Sequence, residues 1–383
     1  MNLALAGAMI SLAIWLYLLL GRGGFWRERP RPAPAPPGQW PEIVAVVPAR
    51  DEAETIAIAI GSLLRQTYPG RLSVILVDDH SSDGTAALAR AAADEIGAAD
   101  RLTVIAARKL PSGWTGKLWA VSEGLRHVEE SGSGAELVLL TDADIAHHED
   151  NLAELAARIV ADRLDLASLM VLLHCESFAE RWLIPAFVFF FAKLYPFAWV
   201  NDRRKSTAGA AGGCMLLRRT ALYRIGGIAS IRGALIDDCA LGAKIKAGGA
   251  IWLGLSDRTR SLRRYPRLGD IWRMIARTAY TQLEYSPALL VIAVLGLFFT
   301  YLVPPLLVVF AGGVTVIVAL AAWLGMSIAF IPTLRLYRRS PLTAPLLPLI
   351  ALFYLAATLD SARRHWQGKG GEWKGRVQQR SRA

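Results

Sequence analysis

Apolar residues are spread along this chain in two ways, and each predicts a different kind of structure. Toward both ends they form long unbroken runs: residues 1–21 carry no charged side chain, and 287–311 and 312–334 are two further charge-free spans meeting at Gly312-Gly313. About 20 such residues cross a bilayer as a helix. The pattern therefore predicts an N-terminal transmembrane anchor and a C-terminal hairpin of two spans turning at the glycine pair. A further run, 341–359, is long enough but holds Pro341, Pro345 and Pro348, and it reads either as a third span or as a re-entrant segment. From Ile43 onward the runs are short: 43–47, 72–77, 102–105 and 137–140 are strand-like, and helix-like segments ending near Gln66, Ile96 and Val128 separate them. Strands alternating with helices predict an α/β domain with a mostly parallel, Rossmann-like sheet and right-handed crossovers.

Composition sharpens the membrane reading. The 383 residues are 54% hydrophobic yet carry a formal net charge of +11, a balance that suits a membrane protein with basic flanks better than a nucleic-acid binder. Arg22, Arg27, Arg29 and Arg31 follow the first run instead of preceding it, so that run reads as an uncleaved anchor whose carboxyl flank is cytoplasmic. A basic, proline-rich linker (22–41) then leads to a domain expected over 42–260. Beyond it, 261–286 mixes Arg263, Arg264, Arg267, Arg273 and Arg277 with Tyr265, Trp272 and Tyr280, as an amphipathic segment on an anionic membrane face does. The C-terminal membrane region is placed at 287–360 and a basic tail at 361–383, whose charge pulls it toward the cytoplasm even if 341–359 crosses. Residues 182–200 are apolar and aromatic but interrupted by Pro185, Lys193 and Pro196; interfacial helices or a buried core helix both fit. Cys175, Cys214 and Cys239 lack metal-ligand spacing and read as reduced thiols.

Chemistry collects at strand ends. Asp51-Glu52, Asp78-Asp79 and Asp142-Ala143-Asp144 each end a predicted strand, where ligands of doubly wound sheets bind. Carboxylates this close repel one another unless a cation intervenes, which suits a divalent metal shared with a diphosphate. Alternatively, Asp144 caps a helix starting near His147. His147 and His148 themselves read as surface residues. A dinucleotide glycine fingerprint and a Walker lysine loop are both missing, so a diphosphate would be neutralised by metal and basic side chains, Lys117 among them. Ala208 to Met215 has almost no side chain, which either admits a ligand to the backbone or packs tightly. Asp237 and Asp238 open a predicted helix, whose N-terminus alone could account for one acid.

In order along the chain, VVPARDE (46–52), VDDHSSDGT (77–85), GWTGK (113–117), TDAD (141–144), GGCMLLRR (212–219) and IDDCALG (236–242) resemble the family 2 glycosyltransferases of the GT-A fold. Hopanoid-associated, membrane-bound members come nearest. The resemblance implies that Asp78, Asp79, Glu52, Lys117, Asp142, Gly212 and Gly213 bind a nucleotide-sugar, with a UDP-sugar first in order. It implies that Asp142 and Asp144 hold Mg²⁺ or Mn²⁺ and that Asp238 is the general base beside Asp237. Arg273 and Arg277 stand near where processive members carry Q-x-x-R-W, here without Gln or Trp, and are assigned weakly to diphosphate or acceptor. The expected reaction is inverting transfer of a hexose to a lipid alcohol, hopanoid or polyisoprenoid, on the cytoplasmic side of the inner membrane. A processive polysaccharide synthase and a silent nucleotide- or lipid-binding membrane scaffold are the competing readings, and no nucleic-acid partner is expected.

Overall fold

The chain begins with α1 (Leu3–Leu16), whose first turn is capped by Asn2 Oδ1 accepting from the Ala4 amide at 2.6 Å. A β/α alternation follows: β1 (Ile43–Ala49), α2 (Ile56–Leu64), β2 (Leu72–Asp78), α3 (Thr85–Glu95), β3 (Leu102–Ala106), α4 (Gly116–Glu130) and β4 (Leu137–Thr141). Then come β5 (Ile145–Ala146), α5 (Asn151–Ala161), β6 (Leu166–Leu172), α6 (Phe178–Leu194), α7 (Phe197–Val200), β7 (Cys214–Arg218), α8 (Arg219–Arg224), α9 (Asp237–Lys246) and β8 (Ile251–Ser261). The last five helices are α10 (Leu268–Thr278), α11 (Pro287–Leu297), α12 (Val303–Phe310), α13 (Val314–Leu336) and α14 (Leu347–Trp366). This computed structural model describes residues 2–368, 372–373 and 376–377; part of the basic tail, including Lys369, Lys374, Arg380 and Arg382, lies outside the described residues.

The chain divides into two units. One, holding residues 29–174 and 199–263, carries an eight-stranded sheet of order β3-β2-β1-β4-β7-β6-β8-β5. Strands β3, β2, β1 and β4 run parallel, and β6 runs parallel to β8, whereas β7 is antiparallel to β4 and β6. Every residue of β1 and of β4 is buried, as strands covered on both faces must be. Helix α4 lies close on β1 and β2 because Gly124 faces them: a Cβ there would clash with Val46 and come within 3.0 Å of Val77. The mixed, parallel-rich sheet is of the GT-A type that the motifs imply.

The other unit comprises residues 2–28, 175–198 and 264–368. Among the described residues, five helical stretches are long and apolar enough to span a membrane, at Leu3–Gly21, Phe178–Val200, Pro287–Phe310, Val314–Leu336 and Pro341–Trp366, and they mark a membrane protein. One more stretch qualifies than the sequence pattern suggested, because Pro185 sits inside α6 without ending it. The helix instead starts at a strong signal: Glu180 Oε2 accepts from the Ser177 amide at 2.8 Å while Ser177 Oγ caps the Glu180 amide. The prolines of 341–348 do not break the last stretch: Pro341 opens a 3-10 turn that also contains Pro345, and Pro348 falls in the first turn of α14, where a missing N–H costs little. Pro304 cannot donate to the carbonyl of Thr300 four residues earlier; Trp15 Nε1 does so at 2.7 Å, and Ser11 Oγ serves Phe299 in the same way.

Candidate functional site

The ends of β1 and β2 are locked to one another by short polar side chains. Asp51 adopts a positive φ of 49° and its carboxylate accepts from the Ser82 amide at 2.8 Å. The Glu52 amide donates to Thr85 Oγ1 at 2.9 Å and the Ala53 amide to Asp83 at 2.9 Å. Asp79 is fully buried, its carboxylate 3.7 Å from Arg50, and Arg50 also donates to the Asp79 carbonyl. Asp78, beside it, is partly exposed and accepts from the Ser81 amide at 3.1 Å.

Asp142 and Asp144 follow β4 directly. Asp144 caps no helix: β5 comes next, and α5 starts only at Asn151 with Asp150 in the capping position. Nor is His147 at the surface. It is buried between Thr141 Oγ1 at 2.9 Å and Asn151 Nδ2 at 3.0 Å, and Thr141 Oγ1 donates to the Gly213 carbonyl at 2.7 Å. Nε2–H must then donate to Thr141 while Nδ1 accepts from Asn151, which fixes a neutral ring; burial pushes its pKa down to about 3. The ring thus braces the turn that carries both aspartates.

Lys117 joins this turn to α9. It projects from the first turn of α4, which Thr115 caps, and its Nζ lies 2.9 Å from Asp142 Oδ1 and 3.1 Å from Asp237 Oδ2. Burial alone would lower the lysine's pKa, but the charges of Asp142 and Asp237 outweigh it and hold the ammonium protonated. Asp238 is held by backbone donors, the Gly212 amide at 2.8 Å and the Cys239 amide at 2.7 Å. Burial, then the charge of Asp237, raises its pKa to about 6 against the pull of Lys117 and both amides. Gly212 leaves little room for a side chain, since a Cβ would come 3.2 Å from Asp238 Oδ2 and 3.5 Å from Lys117 Nζ. Gly213 packs toward Ile145 and Val171 instead.

A second bridge spans the other side of the turn. Arg263, just after β8, places Nε 2.7 Å from Asp144 Oδ2 and Nη2 2.8 Å from Glu52 Oε1. Sequence reasoning missed this arginine by counting it with the basic residues of 261–286; the sheet-bearing unit runs on to Arg263, and the Leu262 amide donates to the Asp144 carbonyl at 2.7 Å. The signal available was its place directly at the end of a strand. Arg273 and Arg277 belong to the helical unit: Arg273 pairs with Asp270 on its own helix, and Arg277 is exposed.

Around these two bridges, among the described residues, the carboxylates of Glu52, Asp142, Asp144, Asp237 and Asp238 outnumber the cations Lys117 and Arg263. Burial and then, despite Lys117, the neighbouring Asp144 and Asp237 raise the pKa of Asp142. An excess of crowded, hard oxygen donors fits a divalent cation such as Mg²⁺ or Mn²⁺, with Asp142 and Asp144 the residues to hold it. His148, Glu149 and Asp150 also cluster within 4.8 Å, but Arg258 Nη1 already lies 3.0 Å from Asp150 and 3.3 Å from His148.

Known proteins can now be set beside this geometry. A family model described as glycosyl transferase family 2 matches residues 44–226, and one described as glycosyl transferase family group 2 matches 137–359. No curated protein matches the chain. Among solved structures, a mannosyltransferase from Pyrobaculum calidifontis, in complex with GDP-Man and Mn²⁺, is similar over 95% of this chain and 99% of its own, at 20% identity and a TM-score of 0.56. Glucosyl-3-phosphoglycerate synthase from Mycobacterium tuberculosis is 17% identical, covering 64% of this chain and 79% of its own at a TM-score of 0.38. Mannosyl-3-phosphoglycerate synthase from Rubrobacter xylanophilus is 18% identical, with coverages of 64% and 74% and a TM-score of 0.37.

Proposed function

Because the chain belongs to glycosyl transferase family 2, we propose that it moves a hexose from a nucleotide-sugar to a lipid alcohol, with inversion, using Asp238 as general base. One observation carries this reading. Lys117 gathers Asp142, from the motif that ends β4, and Asp237, from the start of α9, around a single ammonium. Asp142, from the metal-type motif, and Asp237, next to the assigned base, thereby share one cleft lined also by Pro48, Thr141 and Gly212 although they are far apart in sequence.

Each side chain then has a task its surroundings support. Asp238 is oriented by two amides, and a pKa near 6 leaves it mostly ionised at neutral pH while still basic enough to take a hydroxyl proton. Asp237 is the weaker candidate for base, because Lys117 holds its carboxylate. When bound at Asp142 and Asp144, Mg²⁺ or Mn²⁺ supplies Lewis-acid stabilisation of the departing diphosphate. Lys117 adds a fixed positive charge beside the same place. Glu52, Asp78 and Asp79, at the ends of neighbouring strands, are assigned to the nucleotide, and Gly212 to the wall facing the sugar, with Gly213 supporting it from the side of Ile145 and Val171; a UDP-sugar is the first donor to try.

The five apolar helices favour an acceptor dissolved in the bilayer, a hopanoid or other polyisoprenoid alcohol. Arginines following the first span support insertion in the inner membrane with the sheet-bearing unit in the cytoplasm. The test is incubation of membranes containing the chain with labelled UDP- and GDP-sugars, followed by mass analysis of the extracted lipids. Sugar-bearing lipid made by the wild type and not by Asp238→Asn is expected. No labelled lipid with any donor, or equal labelling by the variant, overturns the reading.

A further inference from the structure

Arg263 holds two acids of different standing. Its Nε meets Asp144, one of the two carboxylates assigned to the cation, while Nη2 meets Glu52, which lies on another loop and is not assigned to the cation. Asp144 is 8% exposed, so the guanidinium competes with little water for that oxygen. A divalent ion bound by Asp144 would sit within a few ångströms of this positive charge, and like charges at that distance repel even when screened. Giving up Asp144 does not strand the arginine, because Glu52 keeps it. Lys117 is arranged in the same way, with Asp237 left to it when Asp142 is taken.

We propose that Arg263 is a built-in counter-ion that occupies the cation site of the donor-free chain, so that a divalent ion binds only by displacing its guanidinium from Asp144. It is a positioning residue: it acts through the aspartate and need not touch the sugar. The inference rests on the assignment of Asp142 and Asp144 to the cation. Its consequence is that metal binds weakly by itself and enters effectively only with an anionic ligand that adds negative charge of its own.

The experiment titrates Mn²⁺ into the full-length chain in detergent, without any nucleotide, and reads free Mn²⁺ by electron paramagnetic resonance. Arg263→Gln is expected to lower the Mn²⁺ dissociation constant about tenfold, the effect of removing one unit charge a few ångströms from a divalent ion in well-screened surroundings. Arg263→Lys, which keeps the charge, is expected to stay near wild type, and Arg263→Met serves as the neutral variant should glutamine impair folding. Mere structural damage would weaken Mn²⁺ binding, not tighten it. A dissociation constant that is unchanged or higher in both neutral variants overturns the proposal. Asp144→Asn separates the two levels of inference: if it binds Mn²⁺ as tightly as the wild type, the assignment of the cation to Asp144 has failed and the proposal falls with it, whatever Arg263→Gln does.

Discussion

Replacing Asp238 by Asn separates what this carboxylate does for chemistry from what it costs the fold. In the folded chain its pKa rises from 3.8 to about 6, through burial first and the charge of Asp237 second. Between those two values the folded chain keeps a proton that the unfolded chain has released, so stability falls as pH rises through that window. Above pH about 6 the whole cost is present, about 3 kcal/mol at a little over 1.3 kcal/mol for each unit of displacement. Asn does not titrate, and it can satisfy only one of the amides of Gly212 and Cys239 as an acceptor. That loss is independent of pH and cancels when the difference between variant and wild type at pH 7 is compared with the difference at pH 4. His147 works in the opposite sense, losing stability as pH falls below its ordinary value toward 3, but both proteins contain it and it cancels too. The expected result is a stability difference moving about 2 kcal/mol in favour of the variant from pH 4 to pH 7, less than the full cost because the unfolded carboxylate is already more than half ionised at pH 4, measured by thermal unfolding in detergent at both pH values. Over the same range Asp238→Asn should lower turnover by about 10²- to 10⁴-fold, and wild-type turnover should decline below pH about 6. A variant whose stability difference is flat with pH, or one that retains turnover, refutes the argument.

Three further outcomes follow from other contacts. Lys117→Met leaves Asp142 and Asp237 without their shared ammonium; donor affinity, followed by calorimetry, should fall by about tenfold or more as one charge-assisted contact is lost. Gly212→Ala places a methyl 3.2 Å from Asp238 Oδ2, so turnover should fall while the melting temperature changes little. Trp15→Phe removes the indole N–H that serves the Thr300 carbonyl ahead of Pro304, and thermal stability should drop by about 1–3 kcal/mol, the cost of an unsatisfied buried acceptor.

Much of the sheet-bearing unit is legible because its first half obeys local rules. Runs such as 43–47 and 137–140 are apolar at every position, as strands covered on both faces must be, and acids at their ends mark the edge where ligands sit. The later part of the sheet is less legible. Strand β7 follows a glycine-rich stretch and runs antiparallel between β4 and β6, a pairing fixed by contacts distant in sequence. His147 misled for a similar reason: its partners Thr141 and Asn151 are close in sequence, but the burial that makes them necessary comes from the rest of the sheet.

Arg263 shows most clearly where sequence reasoning stops and charge accounting takes over. Among other arginines, near a membrane-facing segment, nothing local distinguishes it. Yet five carboxylates drawn around one turn must be compensated wherever they meet, and Lys117 pairs directly with Asp142 and Asp237. A second cation had to come from some element ending at the same edge of the sheet, and β8 ends there with its next amide bonded to the Asp144 carbonyl. The arginine that follows is therefore part of the acidic site by necessity of charge. The same accounting explains why two cations do not complete it: the carboxylates left over, with the pKa of Asp142 and Asp238 both displaced upward, are what the proposed divalent ion and the proposed base would need.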